Sequence, residues 1–255
     1  MTQPMTDARL ILIDLDGCLL PGDFRELDYH SLTSIREYCA SLDPDNQPKI
    51  ALCTGRPQPY ASALLTVLGA IWPEVPSVVE SGAYLYYPAE NRIRMNPVLT
   101  TELLAQWRKA KEQIRRLAPE MSAKPGVGEK LGLSLIPAGL NIPSLFEQVC
   151  VQFADCEFIE VTYSSMCVDI TPRGVNKRSG IQALTADTGI DPAHILAIGD
   201  SANDLSMLET VGIPTCPANA QPEVKAKCVY VSPYPYTTGV WDIITRYGRP
   251  GSRSA

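Results

Sequence analysis

The chain has 255 residues, 45% hydrophobic and 20% charged, with a formal net charge of −6, enough length to bury one large core or two smaller ones. The negative balance argues against a nucleic-acid or anionic-membrane surface, and no apolar stretch approaches the about 20 residues of a membrane span. Met1–Asp7 lacks the basic and apolar regions of a signal peptide, so a cytoplasmic location is the expectation, and the eight cysteines form no Cys-x-x-Cys pair, which removes the usual zinc and redox motifs.

Leu10–Ile13 reads as a strand apolar on both faces, the kind buried in a parallel sheet, and it delivers Asp14-Leu15-Asp16-Gly17 at its carboxyl end. Tyr29–Ser41 reads as a helix. Lys49–Cys53 is a second strand running into Thr54-Gly55-Arg56, and Tyr60–Leu68 is a helix closed by Gly69. Ser77–Glu80 is a short strand broken by Ser81-Gly82. Strands alternating with helices imply βαβ units.

From about residue 84 the grammar changes. Ala83–Tyr87 and Arg92–Met95 read as a hairpin, Thr100–Leu117 as a long helix capped by Thr100 or Thr101, and 122–128 as a loop placed to cover a site. Gly132–Ile136 is strand-like, Ser144–Phe153 helical, and Glu157–Thr162 with Met166–Ile170 a second hairpin. That ββαβαββ order predicts one antiparallel sheet with helices on one face. After Pro172 the first pattern returns, with a helix over Lys177–Thr188 ended by Gly189, a buried strand Ile195–Ile198, a helix Asp204–Val211, and Val229–Val231 and Val240–Arg246 closing the unit. The expected architecture is α/β: a doubly wound, Rossmann-like parallel-sheet core over 6–83 and 173–248. An inserted α+β cap occupies 84–172, and a disordered tail 249–255.

The strand ends carry the chemistry, where open α/β sheets bind ligands. A carboxylate at Asp14 can attack phosphorus and split a hydrolysis into two steps. Asp16 can protonate the leaving oxygen and then activate water. Alone, such a pair also suits a turn that only caps backbone groups. Gly199-Asp200-Ser201-Ala202-Asn203-Asp204 follows a second buried strand and supplies metal acids, although Asp and Asn also favour helix starts. Thr54 and the amides after it, beginning at Gly55, can hold a phosphate oxygen. Lys177 stands at a helix start, where the macrodipole disfavours a cation, which points to phosphate neutralisation. Asp14, Asp200, Asp204 and a phosphate dianion sum to roughly −5 with Asp16 neutral, and Mg²⁺ with one lysine restores about +3.

Taken in order, Asp14-Leu15-Asp16-Gly17, Thr54-Gly55-Arg56-Pro57, Lys177, Gly199–Asp204 and Ala218-Asn219-Ala220 resemble the haloacid dehalogenase superfamily of phosphatases. The likeness is to the Cof-type subgroup, whose α/β cap follows the third core strand, and it covers about residues 9–246. It implies Asp14 as nucleophile, Asp16 as acid/base with its carbonyl on Mg²⁺, and Asp200 as a direct metal ligand. Asn203 and Asp204 then support the metal or its waters, and Thr54 and Lys177 bind the phosphoryl group. The chain departs from the subgroup at Glu80-Ser81-Gly82-Ala83, where Asn usually precedes Gly, and at Cys18, where threonine is usual.

The expected activity is Mg²⁺-dependent hydrolysis of a small phosphomonoester, a sugar phosphate or a phosphorylated carboxylic acid. A phosphotransferase or mutase, or a non-catalytic phospholigand-binding regulator, are the alternatives. The expected partner is a small phosphorylated metabolite, with no nucleic acid, no membrane and the oligomeric state open. Arg56, Ser81, Gly82, Arg94 and Asn219 are candidate substrate or cap contacts, and Lys124 and Lys130 could meet an anionic group.

Overall fold

The computed structural model describes residues 7–22, 25–43, 46–128, 131–139 and 141–248. Lys130 and the tail 249–255 lie outside the described residues. The first part of the chain forms β1 (Leu10–Ile13), α1 (Tyr29–Ala40), β2 (Lys49–Leu52), α2 (Gln58–Leu68) and β3 (Ser77–Val79), then β4 (Tyr84–Tyr87) and β5 (Arg92–Met95). The middle forms α3 (Thr101–Leu117), β6 (Ala123–Pro125), β7 (Leu133–Pro137), α4 (Ile142–Gln152), β8 (Ile159–Tyr163) and β9 (Val168–Pro172). The last part adds α5 (Lys177–Thr188), β10 (Ile195–Ile198), α6 (Leu205–Leu208), β11 (Ile213–Cys216), α7 (Pro222–Lys225), β12 (Tyr230–Val231) and α8 (Tyr236–Tyr247).

The main sheet runs β12-β11-β10-β1-β2, every pair parallel. β1 and β10 are apolar throughout because helices cover both faces. Ile11, Ile13 and Ile198 pack with Ile35 of α1, Leu65 of α2 and Ile243 of α8. Leu10, Leu12 and Ala197 pack on the other face with Ile181 and Leu184 of α5 and Met207 of α6. The chain leaves β1 towards β2 and returns at β10 on its other side, so the strand order reverses between β1 and β10. Ligands bind outside the carboxyl ends at such a switch point.

Several expectations need correction. The hairpin β4–β5 does not join the sheet of the middle segment. The turn after Val79 folds β4 back antiparallel on β3, pairing Ser77 with Tyr86, and the three strands form their own sheet. β3 lies beside β2 of the main sheet, joined by a parallel bridge between Cys53 and Val78 and by the Leu52 amide donating to Ser77 Oγ at 3.0 Å. The middle segment builds a four-stranded antiparallel sheet, β6-β7-β9-β8. Trp107 and Ile114 of α3 and Leu145 and Val149 of α4 pack on it around Leu133, Val168 and Ile170.

β6 replaces part of the expected loop at 122–128. Its Pro125 is tolerated because the strand lies at the sheet edge. β11 was hidden for the same reason, since Pro214 breaks a strand-like reading of its sequence. The helix expected over Asp204–Val211 is shorter, a 3₁₀ turn at Ala202–Asp204 followed by α6.

Candidate active site

β1 and β10 end level, Ile13 opposite Ile198, and the Asp14 amide donates to the Ile198 carbonyl at 3.0 Å. That register sets Asp14 and Asp200 side by side at the sheet edge. Gly17 completes the turn between them at φ +88°, where a Cβ would lie 2.2 Å from Asp200 Oδ2, so the loop closes only with glycine. α5 enters from the other side, held by a capping box between Asn176 and Ser179. Its first residue, Lys177, is 1% exposed and reaches Asp14 Oδ1 at 2.7 Å and Asp204 Oδ1 at 2.5 Å. The other oxygen of Asp204 accepts from the amides of Asp200 at 2.8 Å and Ser201 at 3.1 Å. Asp204 is thereby spent on shaping the Asp200 loop and fixing the lysine.

The electrostatics show what this cluster lacks. Oxygens of Asp14, Asp200 and Asp204 all lie within 4.8 Å of one another, and the three residues are 4%, 3% and 0% exposed. Three carboxylates against one lysine leave a formal −2 in a buried place. Burial first, and Asp204 second, push Asp14 up to about 7 and Asp200 up to about 9. Burial would lower Lys177, but Asp14 and Asp204 outweigh it and hold its ammonium well above the ordinary lysine range. A hard divalent cation removes that deficit, and an all-oxygen donor set suits one. Asp14 and Asp200 are the residues that would hold it, since both oxygens of Asp204 are already engaged.

Asp16 lies on the far side of the turn. Arg56 grips it with two parallel hydrogen bonds, Nε to Oδ2 and Nη2 to Oδ1, both 2.7 Å, a bidentate fork. Thr54 is buried, and its hydroxyl accepts from the Arg56 amide at 3.0 Å. Ser81 donates its amide to the Thr54 carbonyl at 3.0 Å, and its hydroxyl would stand 3.2 Å from a Cβ on Gly55. Asn203 accepts from the Ser201 hydroxyl at 2.9 Å. Asn219 donates to the Gly17 carbonyl at 2.8 Å. Gly82 has a packing reason: at φ +102° a Cβ would come within 2.0 Å of the Asn176 carbonyl, just ahead of Lys177.

The structure does not bring Arg94 to the site. It pairs with Asp187, ten residues along α5 from Lys177 and so about 15 Å away at 1.5 Å per residue. Lys124 is exposed on the edge strand β6. Two contacts lay outside the sequence reading. The buried Cys18 thiol donates to Asp200 Oδ1 at 3.7 Å, and burial with the surrounding carboxylates keeps it protonated. Glu80, buried at the turn after β3, accepts from the amides of Leu131 at 2.6 Å and Gly132 at 3.3 Å, tying the core to the start of β7. Neither residue sits in a motif whose spacing announces such a contact.

Paired strand ends delivering carboxylates, a buried lysine between them and an inserted α+β unit define a haloacid dehalogenase-like fold. The family model of the haloacid dehalogenase-like hydrolases matches residues 141–244. A phosphoglycolate phosphatase of Haloarcula marismortui is 23% identical over 243 residues, covering 95% of this chain and 98% of its own. A HAD/COF-like hydrolase of Plasmodium vivax superposes with a TM-score of 0.74 at 18% identity, covering 95% of this chain and 96% of its own. The sucrose-phosphatase of Synechocystis, solved with sucrose and phosphate, gives 0.71 at 22%, covering 93% and 97%. Residues 141–244 carry the signature of the haloacid dehalogenase-like hydrolases, and the chain along nearly its whole length shares the fold of solved haloacid dehalogenase-like proteins. A second relative along most of the chain, from Methanothermobacter thermautotrophicus, is also named phosphoglycolate phosphatase and is 25% identical over 239 residues. No helix among the described residues is long and apolar enough to cross a membrane.

Proposed function

We propose that this protein is a phosphatase that hydrolyses a small phosphomonoester through an aspartyl-phosphate on Asp14, with Mg²⁺ as its cation. The observation that carries the reading is the buried ion-paired cluster itself, Asp14 held by Lys177 beside Asp200 and Asp204. Lys177 keeps Asp14 oriented and offers positive charge to an incoming phosphoryl group. Thr54 and the amides of its loop, Gly55 included, receive the phosphoryl oxygens on the opposite side.

Asp14 attacks phosphorus, the bond to the leaving oxygen breaks, and that oxygen takes a proton from Asp16. Water then attacks phosphorus, Asp16 accepts its proton, and the bond to Asp14 breaks to free phosphate and the carboxylate. Asp16 must first leave Arg56 and take up a proton from solvent, and a substrate anion that offers the guanidinium another partner favours that release. Asp14 and Asp200 would hold the cation, with Asn203 and Asp204 behind them. Bound there, the cation neutralises charge on the phosphoryl oxygens.

Curated relatives named phosphoglycolate phosphatase support a phosphorylated carboxylic acid, and the sucrose-phosphatase fold supports a sugar phosphate. The unit expected over 84–172 is taken as the cap that chooses between them. The test is phosphate release from a panel of phosphomonoesters, with Mg²⁺ or chelator, for wild type and Asp14→Asn. Release that requires both the metal and Asp14 is expected. Full activity in Asp14→Asn would overturn the assignment of the nucleophile.

A further inference from the structure

Beside Asp200 opens a cavity of about 240 Å³ that the reaction steps above do not use. The core supplies Asn219, Gln221, Tyr236 and Arg25 to its walls, and the β8–β9 turn closes it with Met166. Met166 Sδ stands only 3.6 Å from where Gly22 would carry a Cβ, so cap and core meet here.

The walls are built rather than incidental. Tyr236 adopts φ +49°, a conformation that costs a bulky residue free energy and persists only where surroundings impose it. Asn219 imposes it by accepting from the Tyr236 amide at 2.9 Å while donating to Gly17 in the catalytic turn. The phenol so placed accepts from Arg25 Nη1 at 3.1 Å, and the guanidinium lies 5.6 Å from the ring centroid. Gln221 is fixed by its amide to the Asp200 carbonyl at 2.8 Å. Its side-chain Oε1 is buried without a hydrogen-bond partner, and such an orphan acceptor calls for an explanation.

Given the phosphatase reading, we infer that this cavity receives the part of the substrate beyond the phosphate, and that it is shaped for a short hydroxy acid. Arg25 meets the carboxylate and Gln221 Oε1 accepts from a hydroxyl. At about 240 Å³ the cavity lies at the small end for a ligand pocket, in keeping with a small polar group such as a three-carbon hydroxy acid. Asn219 and Tyr236 are positioning residues that couple this pocket to the Gly17 turn.

Binding separates the pocket from the chemistry. Calorimetry on the Mg²⁺-loaded Asp14→Asn protein compares 3-phosphoglycerate, 2-phosphoglycolate and glycerol 3-phosphate. The carboxylate compounds should bind roughly ten- to a hundredfold tighter than glycerol 3-phosphate, as a charge-assisted contact supplies. Adding Arg25→Gln should collapse that ratio. Gln221→Met should weaken 3-phosphoglycerate but not 2-phosphoglycolate, which lacks the hydroxyl. Equal affinities for all three compounds, or a ratio that survives Arg25→Gln, overturn the pocket assignment. Wild-type turnover is scored separately. A preserved binding ratio without phosphate release would sink the phosphatase reading and support the pocket, whereas turnover with no carboxylate preference would do the reverse.

Discussion

Metal-free protein should lose stability as pH rises from 5 to 8.5. Burial and then Asp204 raise Asp14 to about 7 and Asp200 to about 9. A carboxyl whose folded pKa is raised binds its proton more tightly in the native state than in the unfolded one. Its contribution is complete below the unfolded value of 3.8 and is lost as pH climbs through the folded value. For Asp14 that window closes near 7, and Asp200 extends the fall towards 9. Between pH 5 and 7 Asp14 alone forfeits about 3 kcal/mol, two units at ~1.4 kcal/mol each. At roughly 2–4 °C per kcal/mol for a chain of this size, the melting midpoint drops by about 6–12 °C.

A bound divalent cation favours the ionised carboxylates, so it should flatten the slope and add most stability at pH 8.5. Thermal melts at pH 5, 7 and 8.5, with chelator or Mg²⁺, read both effects, and Asp14→Asn should make the pH 5–7 fall shallower without abolishing it, because Asp200 also loses stability across that range. A chelated midpoint that stays flat or rises with pH refutes the reasoning. So does a Mg²⁺ increment as large at pH 5 as at pH 8.5.

Two substitutions away from the carboxylates test how the site is held. Gly82→Ala must adopt φ +102° and drive a Cβ into the Asn176 carbonyl; a loss of about 3 kcal/mol is expected from strain and overpacking together. It should also lower kcat, because α5 and Lys177 shift with Asn176, and a denaturant midpoint and a turnover measurement check each half. Glu80→Ala strips the acceptor from the Leu131 and Gly132 amides, at ~1–3 kcal/mol for each donor left unsatisfied. Hydrogen exchange at those two amides should accelerate while exchange in β1 and β10 holds. Acceleration spread evenly over the chain would mean Glu80 supports global stability rather than the junction between core and cap.

The core was legible because burial on both faces forces unbroken apolar runs, and β1 and β10 carry them without a polar interruption. β11 and β6 escaped for one shared cause. Proline reads as a breaker, yet Pro125 sits on an edge and Pro214 is accommodated within a short strand. The fate of β4 and β5 turned on the tight turn at 80–83, which returns the chain against β3. A hairpin pattern looks the same whichever sheet receives it, so pairing partners were beyond what alternation encodes.

At the site, the informative residues were those that local structure alone would reject. A lysine at a helix start opposes the dipole, and the structure resolves the conflict by burying Lys177 between two carboxylates. Asp14 and Asp200 were readable because strand ends have only one place to go in a switch-point sheet. Arg56 was read as a candidate substrate contact rather than as the partner of Asp16, although β1 and β2 are neighbours in register, Ile13 beside Leu52. Their following loops therefore meet, and Arg56 faces Asp16 as a consequence of strand order. Arg94 shows the converse, since its partner Asp187 lies on α5 and no spacing within 84–172 points there. Arg25, Gln221 and Tyr236 come from two loops and the first residue of α8, and they converge because Asn219 ties the start of α8 to the Gly17 turn. Recognition of phosphate can be written into motifs at the ends of strands. Recognition of what the phosphate is attached to is assembled from scattered side chains, and it becomes visible only when the fold brings them to one wall.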